Sequence, residues 1–167
     1  VIAHSLAKEK IENAHLQILK ILRIQKEYRL ASRKIKALLS DDKFKRISGN
    51  LELELVNLYR AEGEDDEIEN RLESIVNDYQ RTEVSAEAYY QLGEIYSSEK
   101  WDLEKAKEYY GNVSKESNRS LFSSSAKSRV LAITTYQNTL KEIETINLMD
   151  SDNKEADSTL NILSLIH

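Results

Sequence analysis

The side chains best suited to catalysis or metal binding are three histidines, His4, His15 and His167. His4 and His15 are 11 residues apart. On one helix that is about three turns and ~16 Å of rise, so they point alike but cannot share a metal ion. None belongs to a His-Glu-x-x-His pattern, which sets two imidazoles on one helix face. "GEDDEIE" (63–69) has the acid density of a calcium loop. It lacks the alternating ligands, central glycine and distal bidentate Glu that such a loop needs. It reads instead as negative charge at the positive end of a helix. Ser124 and Lys127 in "SSSAKS" have Ser-x-x-Lys spacing, but the companion motifs of a serine acyl-enzyme are not in the sequence. Serines ahead of an apolar helix are ordinary caps. Gly63, Gly93 and Gly111 are isolated, so no phosphate-cradling loop is formed. With no cysteine, thiolate nucleophiles, thiolate zinc sites and disulfides are excluded. "NVS" at Asn112 and "NRS" at Asn118 are sequons with meaning only in a secreted eukaryotic chain. The expectation is a chain that is not an enzyme, with no cofactor and no metal.

Bulk properties narrow the partners. The 167 residues suffice for one domain with a core. Acidic residues outnumber basic ones, 29 to 24, for a net charge of −5. That disfavours nucleic acid, whose binding needs clustered Lys and Arg to displace counterions. The basic stretch "YRLASRKIKALL", with Arg29, Arg33, Lys34 and Lys36, reads as a solvated helix face. No apolar run approaches the ~20 residues of a membrane helix, and no signal peptide is visible. The chain begins at Val1 and its one methionine is Met149, which predicts a piece of a longer protein.

The elements that position these residues are helices. There is no proline and only four glycines, so loop and strand punctuation is sparse. Apolar residues recur at helical spacing: Ala14, Ile18 and Leu22 form one face with Ile11 and Ile21 beside it, and Ile68, Leu72, Ile75, Val76 and Tyr79 form another. The pattern predicts helices at about 3–24, 27–40, 43–62, 65–79, 83–98, 102–116, 120–145 and 152–166. Ser40-Asp41-Asp42, Thr82-Glu83 and Asp150-Ser151-Asp152 supply N-terminal caps. Gly63 permits a left-handed stop, and Gly49 suggests a bend. Trp101 falls in the turn before a helix or at that helix's start.

The helices repeat. Leu92, Gly93 and Tyr96 are echoed 37 residues earlier by Leu55, Val56 and Tyr59, and 37 before that by Ile18, Leu19 and Leu22. They are echoed 38 residues later by Val130, Leu131 and Thr134. The second helices repeat likewise, as Ala31, Ile35, Leu38, then Ile68, Leu72, Ile75, then Ala106, Tyr110, Val113. Two helices per constant period is the signature of an α-solenoid. Residues 79–113, "AYYQLGEIY…KWDLEKAKEYYGNV" at their heart, resemble a tetratricopeptide repeat (TPR) through Leu92, Gly93, Tyr96, Ala106 and Tyr110. The junction "YQRTEVSAEAYYQLGEIY" is similar to those of bacterial envelope repeat proteins, of the outer-membrane assembly lipoprotein and Tol–Pal coordinator type, with Gln80 where they carry proline.

The resemblance implies an all-α, right-handed α-α superhelix of about four helix pairs, with units near 3–40, 43–79, 83–116 and 120–166. Gly93 and Ala106 would let paired helices approach, and Tyr96 and Tyr110 would fill the seams. It also implies that first helices line a concave face that grips a protein or peptide. By register that face would hold Asn13, Gln17, Lys20 and Arg23, then Asn50, Glu54, Asn57 and Arg60. Next come Glu87, Tyr90, Gln91, Glu94 and Ser97, and last Arg129 and Tyr136. The Lys/Asn clamp that some members use for C-terminal carboxylates is not matched, since Leu16 and Lys20 occupy its places. The implied role is a non-catalytic scaffold, in a bacterial envelope assembly or as a cytosolic adaptor domain. Apolar ends, including Ala156, Leu160, Leu163 and Ile166, would cap the array or favour self-association.

Overall fold

The computed structural model describes residues 2–63 and 67–164, and side chains over 6–63 and 67–149. Among the described residues all regular structure is helical, with no strand. Helix α1 spans Ile2–Ile24, α2 Tyr28–Leu39, α3 Ser48–Glu62, α4 Ile68–Asp78, α5 Glu83–Glu94, α6 Leu103–Glu116 and α7 Ser123–Ser164. A short 3₁₀ segment, Asp42–Ile47, precedes α3, and a π-helical turn, Ile95–Glu99, extends α5.

Helix starts are capped by side-chain oxygens, at Asp41 and Thr82 as expected and at Asp102 in addition. Asp41 accepts from the Lys43 amide, Thr82 from Ser85, and Asp102 from Lys105, so each satisfies an amide with no intrahelical partner. The turns closing the first three helix pairs share one backbone solution. Lys26, Gly63 and Trp101 are all left-handed, at φ 61°, 82° and 54°. They lie 37 and then 38 residues apart, which is the period of the apolar pattern. Gly63 takes this conformation without penalty, while Lys26 and Trp101 hold it against a steric cost of about 1–2 kcal/mol each. Residues 64–66 of the acidic run, along with His4 and His167, lie outside the described side chains.

Odd-numbered helices form one layer: α1 touches α3, and α3 touches α5. Even-numbered helices bridge them from behind, α2 on α1 and α3, α4 on α3 and α5, α6 on α5 and α7. The core follows this scheme. Leu19, Ala31, Ile35, Leu51 and Leu58 fill the first part. Val56, Leu72, Ile75, Leu92, Ala106, Tyr110 and Val113 fill the second. Each fully buried leucine or isoleucine contributes roughly 1.5–3 kcal/mol. Gly93 and Ala106 are buried, and a methyl group on Gly93 would fall 2.6 Å from the Tyr110 ring. The close approach expected of this helix pair is therefore present. Gly49 does not bend a helix; it sits in the first turn of α3, where a methyl would press on Tyr79 and Val84 at 3.0 Å.

Two further expectations are corrected. The break at 145–152 does not occur: α7 is continuous to Ser164, so the described chain has three helix pairs followed by one long helix. Asp150-Ser151-Asp152 has cap chemistry, but no glycine or proline interrupts the helix around it. The side chains of Ala156, Leu160, Leu163 and Ile166 lie outside the described residues. The second correction concerns α1. Leu16, Leu19 and Leu22 face the core, whereas Ile11, Ala14, Ile18 and Ile21 face outward. The helix carries two apolar stripes, and periodicity alone does not say which one is covered.

Candidate interaction face

The odd-numbered helices are stitched together by a ladder of polar contacts. Arg23 Nε on α1 donates to Glu54 Oε1 on α3 at 2.7 Å. Gln91 Nε2 on α5 donates to Asn57 Oδ1 on α3 at 3.2 Å, and also lies 3.4 Å from Glu87 Oε1. Arg129 on α7 stands 4.0 Å from Glu94 on α5. These pairs span 31, 34 and 35 residues, nearly one period each. A polar residue repeated at one register therefore meets its counterpart on the neighbouring helix.

This arrangement sorts the residues expected to contact a partner. Glu54 and Gln91 are corrected: they are 4% and 6% exposed and bond to neighbouring helices. α3 is flanked on both sides, so a register position that faces solvent on an end helix is enclosed there. Asn57 is half-buried and engaged with Gln91. Asn13, Gln17 and Lys20 on α1 and Asn50 on α3 are exposed. Tyr90 is half-buried, 5.5 Å from the Tyr110 ring and 5.1 Å from Phe122, so it acts as a wedge between α5, α6 and α7. Tyr136 is exposed and meets the edge of Trp101 at 6.2 Å. Trp101, 65% exposed in its left-handed turn, belongs to the surface.

Arg60, Glu94, Ser97, Tyr110 and Arg129 line a cleft of about 270 Å³ between α3, α5 and α7. Ser97 Oγ and the Tyr110 hydroxyl pair at 3.1 Å in its wall. Burial raises the Tyr110 pKa, so the phenol stays protonated and can donate. Tyr90 is the chief influence raising the Arg129 pKa, so that guanidinium is cationic at any physiological pH. Further along α5, burial lifts the Glu87 carboxyl above its ordinary pKa, with nearby Lys20 and the Gln91 amide pulling it back. Two buried atoms of this face have no hydrogen-bond partner among the described residues: the donor Arg60 Nη2 and the acceptor Gln91 Oε1. Asn57 and Arg60 are one turn apart on α3, so Arg60 lies one turn along the helix from the Gln91–Asn57 bond.

Sequence reasoning overlooked Glu12, which is 1% exposed and held by Arg46 Nε at 2.9 Å. Its spacing to Leu16, Leu19 and Arg23 was the available signal, because those residues share one helical stripe. The pair pins the 3₁₀ segment to α1 and lies away from the ladder. Among the described residues no three potential metal ligands cluster. Among the described residues no helix is long and apolar enough to cross a membrane either. Compared with known proteins, the chain matches no family model and no curated protein.

Proposed function

We propose that the chain is a TPR-like right-handed superhelix acting as a non-catalytic scaffold, which grips an extended peptide segment of a partner protein across the α1–α3–α5–α7 face. The observation that carries this reading is the open cleft between α3, α5 and α7, lined by Arg60, Glu94, Ser97 and Arg129. An extended peptide presents carbonyl acceptors and amide donors in turn, which suit the Arg60 and Arg129 guanidinium groups and the Glu94 carboxylate. Exposed Asn50 and Lys20 and the cleft beside Arg129 extend the same polar track. The repeat of left-handed turns, apolar seams and polar ladder near 37 residues supports the superhelix. The envelope-type junction around Gln80 and Tyr90 favours a bacterial envelope assembly as the setting.

The test is selection of peptides from a random displayed library on the purified chain, followed by titration of the selected peptides. Arg60→Gln should weaken binding about tenfold or more, the loss of one charged hydrogen bond. Lys36→Gln, on exposed α2, should leave it unchanged. Peptides that bind equally well to Arg60→Gln would place the binding surface elsewhere.

A further inference from the structure

The outer stripe of α1 has an internal standard for what should cover it. Ile18 occupies the register of Leu55 on α3 and Leu92 on α5. Those two are 5% and 0% exposed, packed in cores to which α2 and α4 contribute. Ile18 is 41% exposed, with Ile11 and Ile21 above half. Ala7, Ile11, Ala14, Ile18 and Ile21 follow one another at alternating intervals of four and three. That is the seam of a helix that packs lengthwise on another helix. At the other end of the molecule, α7 outruns its support. Gln137 on α7 meets Lys107 and Glu104 on α6. Beyond them Leu140, Ile143 and Ile146 are exposed, and Trp101 over Tyr136 begins the same stripe. From 138 to Ser164 the helix is about as long as α1.

The two ends are opposite in charge. Residues 2–26 carry five basic against two acidic residues, while residues 141–157 carry six acidic against two basic. On a helical wheel Lys10 borders the α1 stripe, whereas Glu9 and Glu12 lie away from it, Glu12 among the core-facing residues. We propose that copies of this chain associate head to tail, the projecting part of α7 of one copy lying along the outer face of α1 of the next. The stripe that α2 and α4 cover within the array is then covered by a helix from the neighbouring copy. A symmetric pairing of two α7 extensions would set acidic segment against acidic segment and is disfavoured. Since donor and acceptor faces differ, the contact is heterologous and builds an open chain or a ring rather than a closed dimer.

The experiment is sedimentation velocity on the chain and two surface variants, Ile18→Lys and Ile143→Lys, up to about 500 µM, which reaches associations with Kd of tens of micromolar. Both sites are exposed, and circular dichroism checks that each variant keeps its helix content. The unaltered chain should grow beyond a dimer with concentration. Each variant alone should be monomeric, having lost one face. An equimolar mixture of the two should form a one-to-one dimer, because each supplies the face the other lacks, and the two altered faces repel. A monomeric unaltered chain at the highest concentration would overturn the proposal. So would a dimer that survives Ile18→Lys and is abolished by Ile143→Lys, which is the signature of symmetric α7 pairing.

Discussion

The middle of the molecule and its two ends are made from the same repeat yet behave as different materials. α3 is enclosed on nearly every side: Leu51, Leu53, Leu55, Val56 and Leu58 are buried, and even Glu54 is covered. α1 and the far part of α7 carry comparable apolar residues, but Ile11, Ile18, Ile21, Ile143 and Ile146 meet solvent. The difference is neighbour count, not composition. In a stacked array each helix hairpin is stabilised by the units on both sides, and a terminal hairpin has one side unmatched.

The comparison breaks most directly at equivalent positions. Leu92→Ala should cost roughly 2–5 kcal/mol in urea unfolding, as a cavity opens between α4, α5 and α6. Ile18→Ala at the same register should cost less than about 1 kcal/mol in dilute protein, where its outer face is wet. Equal costs would mean that α1 is covered already.

Glycines sharpen the same contrast at smaller scale. Gly93→Ala drives a methyl into the buried Tyr110 ring and should destabilise by about 1–3 kcal/mol. Gly111→Ala on α6 meets nothing within 4 Å and lies inside a helix, so it should stabilise by about 0.5–1 kcal/mol. A thermal melt of both variants decides this, and an unharmed Gly93→Ala would show that the α5–α6 seam has slack.

Ion pairs divide in the same way. Arg23→Ala strips the partner from buried Glu54 and should cost on the order of 1–3 kcal/mol. Arg71→Ala removes an exposed pair with Glu67 and a guanidinium 5.0 Å from the Tyr59 ring centroid, and should cost about 1 kcal/mol or less. Chemical denaturation at neutral pH ranks the two, and a larger loss at Arg71 would reverse the assignment of the ladder as structural.

The smallest effect concerns charge. Because burial raises the Glu87 pKa, its contribution to stability is full below the unfolded carboxyl pKa and is lost as pH rises through the folded value. Glu87→Gln should therefore gain on the order of 0.5 kcal/mol at neutral pH and nothing near about pH 4. A gain independent of pH would mean that packing, not ionisation, is what changed.

Much of the local structure was legible. The caps at Asp41 and Thr82 and the stop at Gly63 are short-range chemistry, decided by residues within one turn of each other. The close approach at Gly93 was legible because only a missing side chain fits there. The candidate face was legible in outline only. Spacing placed Glu54, Asn57, Gln91 and Glu94 on one side of their helices but could not say which would bond to one another. The supposed break near Asp150 failed because a cap residue permits a helix start without requiring one.

The amino-acid sequence by itself determined helices, their period and the left-handed stop at Gly63, since these follow from backbone sterics and from contacts a few residues apart. Tertiary structure alone decided which of α1's two apolar stripes is covered, which polar residues of the ladder are spent on each other, and that α7 runs on past its neighbours. Those outcomes depend on what stands opposite a side chain, roughly one repeat away in sequence, and a helix carries no record of which neighbour will be there.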